Sequence, residues 1–434
     1  MSLISIFDIP EIIESIASQL NSDELTRCIR VCKSWYQEFI PYLWRDVSVL
    51  DFDFVHWIRN IKQGLEDDSF GRNMASKYSH YIHSIETQFA PTLTYLGSDC
   101  VNLERLCLGY FPMLPTSNHE VAFWRHLQRE DDIYDDAVPE LLERNPGLRV
   151  VKLISATGKV AKAFGKLSHL EELWVRGRFD GRILERCSKT LRILRVDLEC
   201  DNLRYYDPNI AGAIMPADLF LEEITFYSVQ NMKMAFEHVA SCKNLRVVTL
   251  TLYSESEVDD FVHFIQRYGA NIQDLYLTSR ESFAGLSRVI SAIPKLRSLV
   301  VKQSPLHVLA IQAIVIHHKE SIEIFENIQE CFRCWDATIV DSRAKVEQLE
   351  AMMSLWSQCA RLRVFSSLLI SVTVEQLLES EWAAMTNITA LKLAVNGYAG
   401  LEEDERNGRT DKLIYWLDNF KKLQSSDTIT DWAA

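Results

Sequence analysis

The feature that most constrains this chain is a short phrase, apolar-x-x-apolar-x-apolar, repeated along most of its 434 residues. It reads Leu103-Glu-Arg-Leu106-Cys-Leu108, Leu148-Arg-Val-Val151-Lys-Leu153, Leu170-Glu-Glu-Leu173-Trp-Val175 and Leu191-Arg-Ile-Leu194-Arg-Val196. It continues from Leu221, Leu245, Ile272, Leu296 and Ile388, with degenerate copies near Ile85, Ile322 and Leu362. Between Leu148 and Ile322 the starts are 22, 21, 30, 24, 27, 24 and 26 residues apart. A unit of that size cannot bury its own apolar face and must stack on its neighbours. The alternation inside the phrase puts every second side chain on one face of a short strand. Stretches between phrases, such as 256–268 and 283–293, carry apolar residues at helical spacing and predict helices on the return path. The fold class expected is α/β, an irregular solenoid of strand-and-helix units.

In period and phrase these units resemble leucine-rich repeats, and the resemblance implies a horseshoe over residues 81–423 with parallel strands along its concave side. Cys100, Cys187, Cys242 and Cys359 stand three or four residues before a phrase. That spacing suits a small buried helix-end position, as in the Cys-containing class of these repeats. Two interruptions break the period. Residues 109–145 hold Pro112, Pro115 and an acidic run at 130–136, expected as a solvated loop with a short helix toward Leu142. Residues 326–356, rich in Met, Trp and charge, read as an extended helix, and both interruptions are expected to be surface insertions. Residues 424–434 read as a frayed tail.

Composition narrows the function classes. With 47% hydrophobic and 24% charged residues the chain is an ordinary globular one. Its 46 Lys and Arg against 60 Asp and Glu, a formal charge of −14, argue against a nucleic-acid partner. The first residues lack Lys and Arg and carry Asp8 and Glu11, so no export signal is expected. The longest apolar stretch, 306–316, is interrupted by His307 and Gln312 and falls short of the ~20 residues that span a bilayer. No membrane contact is expected. The ten cysteines are scattered among apolar neighbours, which fits a reducing compartment, cytoplasm or nucleus. The triplet Asn387-Ile388-Thr389 has glycosylation spacing and, without export, reads as chance.

The first fifty residues differ from the rest. Pro10 suits a first helical position, and Ile12, Ile13, Ile16 and Leu20 are expected on one face of a short helix. Asn21 and Glu24 have capping-box spacing ahead of Leu25, Cys28, Ile29, Cys32, Trp35, Tyr36 and Phe39. Pro41 is expected to interrupt before Leu43-Trp44. So small a unit cannot bury its aromatics alone and should dock on its neighbour. The run Ile9-Pro10-Glu11, Ile13, Ile16, Leu20, Leu25, Val31-Cys32-Lys33-Ser34-Trp35 and Leu43-Trp44 resembles an F-box over residues 4–50, with 51–80 as a connection to the repeats. One departure is Ile9, where the family more often has Leu. The resemblance implies a trihelical module that docks on a Skp-type adaptor and, through it, on a cullin-RING ubiquitin ligase scaffold. Ile9, Pro10, Ile13, Leu20, Leu25, Val31, Trp35, Leu43 and Trp44 are the adaptor-binding residues it suggests, some of them alternatively the module's own core. The plain alternative is a helical cap on the following domain.

No catalytic constellation stands out. Gly158 and Gly165-Lys166 lie too far apart for a P-loop, and Leu167 replaces its Ser or Thr. Cys331-Phe-Arg-Cys334, with His317 and His318 upstream, has metal or redox spacing, but a lone pair of this kind reads better as two reduced thiols in a helix. Cys28 and Cys32 belong to the F-box apolar face. No enzyme, metal site or cofactor is expected. The informative surface is the strand face that the phrase leucines do not bury. Side chains at one offset on successive strands stand about 4.8 Å apart and form ladders. The offset before the last apolar residue reads Cys107, Lys152, Trp174, Arg195, Thr225, Thr249, Tyr276, Val300, with Arg176 and Arg178 beyond Trp174. Arg and Trp are the types that most often become interface hot spots. Lys152, Trp174, Arg176, Arg195 and Tyr276 are therefore the candidate substrate-binding residues, suited to an acidic or phosphorylated motif, with Asp197 and Glu172 as possible internal neutralisers. The function expected is a substrate receptor of a ubiquitin ligase. The alternative is an interaction scaffold with no ligase role.

Overall fold

A computed structural model describes residues 9–49, 77–87, 100–108, 131–153, 158–176, 182–187, 189–197, 220–227, 233, 236, 242–279, 283–303, 306–328, 342–380, 387–396, 403–418, 420, 423 and 425–430. The chain divides into two compact units, one of residues 1–196 with 200–216 and one of 197–199 with 217–434.

The first unit opens with three helices, α1 (Pro10–Ala17), α2 (Ser22–Cys28) and α3 (Lys33–Arg45). Pro10 begins α1, where its missing N–H costs nothing, and Asn21 and Glu24 form the expected reciprocal capping box on α2. Contrary to expectation, α3 runs unbroken through Pro41. Its packing offsets the lost backbone bond, since Phe39 and Ile40 are buried and Tyr42 and Leu43 lean on the module's core.

From α3 the chain passes directly into β1 (Asp46–Val49), followed by β2 (Ser84–Thr87), β3 (Arg105–Leu108), β4 (Val150–Leu153), β5 (Glu172–Arg176) and β6 (Ile193–Asp197). Neighbours in this series pair in parallel and in chain order. Parallel pairing needs a crossover between strands, here carried in part by α4 (Asp131–Arg144), α5 (Gly158–Ala163) and α6 (Arg182–Cys187). Each strand starts two residues after the first apolar residue of its phrase. The hydrogen bonds show why. The carbonyl at the second phrase position accepts two N–H groups from the next unit: Glu104 O from Arg149 and Val150, and Arg149 O from Glu171 and Glu172. The phrase residues Leu103, Leu106, Leu148, Val151, Leu153, Leu170, Leu173 and Val175 are fully buried.

Two further expectations change in this unit. A strand already forms at 46–49, ahead of the expected repeat start at 81, because Trp44-Arg-Asp-Val47-Ser-Val49 is a phrase with Trp in the first position. The acidic run from 131 is the first part of α4 rather than a loop. The stretch 109–130 of the same interruption lies outside the described residues.

The second unit continues the alternation with β7 (Glu223–Tyr227), β8 (Val247–Leu252), α7 (Glu255–Tyr268), β9 (Asp274–Ser279), α8 (Leu286–Ala292), β10 (Ser298–Lys302), α9 (Val308–His318) and β11 (Ile324–Ile328). It ends with α10 (Ser342–Gln358), β12 (Val364–Thr373), α11 (Val374–Glu379), β13 (Ala390–Asn396), α12 (Glu403–Leu417) and β14 (Ser425–Thr430). These strands also pair in parallel and in order. The expected helices at 256–268 and 283–293 are α7 and α8. Of the helix expected over 326–356, residues 326–328 belong to β11, 329–341 lie outside the described residues, and α10 covers 342–358. The expected frayed tail is corrected as well. Residues 425–430 form β14 on β13, and Leu423 supplies the first apolar residue of that last phrase.

Candidate functional site

Two surfaces follow from this fold, both in the first unit. In the helical module Ile13, Ala17, Leu25 and Phe39 form a buried core, against which Leu20, Cys28, Ile29, Trp35, Tyr42 and Leu43 pack. Trp35 tilts onto Phe39 at 5.5 Å between ring centroids. Of the residues suggested for adaptor binding, Ile13 and Leu25 are thus internal, and Leu20, Trp35 and Leu43 are half-buried against them. Trp44 stacks on Tyr78 at 4.9 Å, facing the repeats. Ile9 is half-buried, Pro10 is exposed, and Val31 is 62% exposed. The periodicity puts Ile12, Ile13, Ile16 and Leu20 on one face, but the helix divides them, with Leu20 packed on the core beside Ile13. Ile13 and Ala17 point inward, while Ile12 and Ile16, one turn apart, are 38% and 37% exposed. The outward apolar group of this module is therefore Pro10, Ile12, Ile16 and Val31. The signal for Ile12 and Ile16 was their own four-residue spacing, in parallel with that of Ile13 and Ala17.

The module is fastened to the repeats by more than the chain. The Tyr36 and Tyr78 hydroxyls are hydrogen bonded, and the His83 N–H donates to Arg45 O at 2.9 Å.

The second surface is the strand face of β3 to β6. Parallel register sets Cys107 beside Lys152 and Lys152 beside Trp174. Lys152 Nζ stands 5.0 Å and Arg195 Cζ 5.5 Å from the Trp174 ring centroid, so two cations share one indole. Both cations lie 3.8 Å from the same oxygen, Glu172 Oε1. Arg105, on β3, has its pKa raised, chiefly by Cys107 and to a lesser extent by Glu86 and Glu172. Of the five suggested substrate-binding residues the fold gathers Lys152, Trp174 and Arg195, and it adds Glu172 as the neutraliser foreseen from the sequence. Arg176 belongs to β5, but its side chain, like those of Arg178 and Asp197, lies outside the described residues. Tyr276 stands on β9 in the second unit, between Thr249 and Val300. A cation held over an indole is stabilised by about 0.5–1 kcal/mol where it is exposed and more as it is desolvated. Such a cluster is suited to holding an anionic group.

The remaining chemistry-bearing residues have structural duties. His318 is buried, its Nδ1 accepting from the Leu296 N–H at 3.3 Å and its Nε2 donating to Ile290 O at 2.8 Å. Burial holds its pKa below the usual histidine range. Cys100, Cys187, Cys242 and Cys359 are all buried, Cys187 as the last residue of α6 and Cys359 directly after α10. Burial pushes the Cys242 and Cys359 thiols up to about 12. Cys331 and Cys334 lie outside the described residues. Among the described residues no group of three or more His, Cys, Asp or Glu is placed to hold a metal ion, and no helix is long and apolar enough to cross a membrane.

Comparison with known families finds an F-box-like domain matching residues 10–49, which are α1 to α3 together with β1. No curated protein matches the chain.

Proposed function

We propose, from the F-box-like domain carried at residues 10–49, that this protein is the substrate-recognition subunit of a ubiquitin ligase of the Skp–cullin–RING type. F-box domains typically bind Skp-type adaptors. The observation that carries the reading is that this module, otherwise packed on its own core and on Tyr78, leaves Pro10, Ile12, Ile16 and Val31 uncovered. The parallel, ordered strands and the phrase period support a leucine-rich-repeat horseshoe. Its strand face would hold a protein substrate, with Lys152, Trp174 and Arg195 as the anion-suited part of it. The protein would do no chemistry of its own and would act by holding the substrate near the transferring enzyme. It would work in the cytoplasm or nucleus.

Co-expression with a Skp-type adaptor tests this, with size exclusion as the readout. Equimolar co-elution is expected for the natural chain and its loss for the double variant Ile12→Asp/Ile16→Asp, whose folding is checked by circular dichroism. A folded natural chain that elutes alone would overturn the reading. The second reading, an interaction scaffold without ligase role, draws on the direct passage of α3 into β1, since the module then also serves as the cap of a sheet. Ubiquitin transfer in the reconstituted complex separates the two.

A further inference from the structure

Lys152 and Arg195 pair with Glu172 at longer range than the forked ion pairs of the same protein. On the strand-entry side Arg149 grips Glu171 through Nε and Nη2 at 3.0–3.2 Å, and Arg297 grips Asp274 at 3.2 and 3.3 Å. Those are forked hydrogen bonds that use both partners' geometry. Around Trp174 the distances are 3.8 Å on both sides of a single carboxylate oxygen, so neither contact is a hydrogen bond. Two cations thus stand near one carboxylate oxygen with the indole between them. All four side chains are partly buried, which strengthens their field relative to open solvent.

We infer that Lys152, Trp174 and Arg195 form a grip for a carboxylate on an unmodified acidic segment of a protein partner, with Glu172 as its resident counter-ion. The inference rests on the proposed reading of the strand face as a recognition surface. A carboxylate is favoured over a phosphate because the site already spaces its cations about a carboxylate. Glu172 then sets the strength and selectivity of the site. It keeps the two cations apart and apposed in the free protein, and it weakens any anion that joins them.

The test uses the full chain in complex with its adaptor and three fluorescein-labelled peptides alike except for a central run of glutamate, glutamine or phosphoserine, followed by fluorescence anisotropy. The glutamate peptide is expected to bind and the glutamine peptide not to. Glu172→Gln should bind the glutamate peptide about fivefold tighter, the factor for one unit charge removed at close range in a solvated site. Trp174→Ala should weaken it by about tenfold or more, as loss of a hot-spot aromatic does. Arg195→Gln, which keeps most of the side-chain stem, guards against a fold defect in the tryptophan variant and should weaken binding in the same direction. An unchanged or weaker Glu172→Gln, or a natural chain that prefers phosphoserine, would overturn the inference. A preparation that co-elutes with the adaptor but ignores the glutamate peptide overturns the grip alone. One that binds the peptide without the adaptor leaves the grip standing and overturns the receptor reading.

Discussion

At the residue scale the largest single stakes lie in buried polar side chains that bond across repeats. Asn145 is 1% exposed and satisfies three partners: its Oδ1 accepts from the Leu103 N–H at 2.9 Å, and its Nδ2 donates to Cys100 O at 2.9 Å and Leu141 O at 2.8 Å. Asn145→Ala leaves a buried N–H and two carbonyls without this partner. The expected cost is about 2–4 kcal/mol in chemical denaturation, against under ~0.5 for an exposed substitution. Lighter stitches recur just ahead of the phrase. Asn102 donates to His80 O, Asn271 to Lys243 O and Asn387 to Ala360 O. Asn387 and Thr389, read from sequence as a chance triplet, therefore have a structural use, since Thr389 also donates to Arg363 O at 3.2 Å. His318 gives a pH dependence. Its folded pKa lies below the ~6.5 of an unfolded imidazole, so between the two values the unfolded chain binds the extra proton. The histidine's contribution is complete above about pH 6.5 and is lost as the pH falls toward the folded value. His318→Gln should show a smaller drop in thermal midpoint between neutral and mildly acidic buffer than the natural chain, whatever its midpoint at neutral pH.

Elements in this protein are positioned by one position of the phrase more than by any helix. The second residue, whose carbonyl takes two N–H groups from the next repeat, alternates in charge over Glu104, Arg149 and Glu171. Strand order and side-chain charge thus agree about which unit follows which. Arg149→Glu should lower the thermal midpoint by setting like charges along this rim. Adding Glu171→Arg should recover part of the loss, and both effects should shrink in high salt because the pair is exposed. This also explains how much of the fold was legible. Strands and the buried cysteines ahead of them could be read because Leu, Ile and Val fill the phrase. The strand at 46–49 was hidden because Trp44 takes the first apolar place, and the strand at 425–430 because Ser426 and Thr428 take the later ones. Lys152, Trp174 and Arg195 were readable as a group because parallel register follows from the phrase. Ile12 and Ile16 were not assignable to the outer face, because a short helix rich in isoleucine offers two apolar faces and only the packing of Ile13 and Ala17 chooses between them.

For the molecule as a whole, the F-box-like module cannot be treated as a detachable tag on the repeats. Removing residues 1–49 takes away β1, the only strand described on that side of β2, and with it the Trp44–Tyr78 stack and the Tyr36–Tyr78 hydrogen bond. Ile85, fully buried and in register with Val47, would lose that neighbour. The truncated chain is expected to lose on the order of 3 kcal/mol or more from the first unit, comparable to deleting one large buried aromatic. Ile12→Asp/Ile16→Asp changes only outward side chains of α1 and should leave stability nearly as it was. Hydrogen exchange distinguishes the two. In the truncated chain the amides of 84–87 and 105–108 should exchange much faster while those of 274–279 and 298–302 keep their protection, and in the double variant all four segments should stay protected. If the truncated chain kept its protection at 84–87, β1 would be a dispensable edge and the module a true appendage. If the double variant lost it, the outward isoleucines would belong to the fold, and their loss of adaptor binding would report unfolding instead of contact.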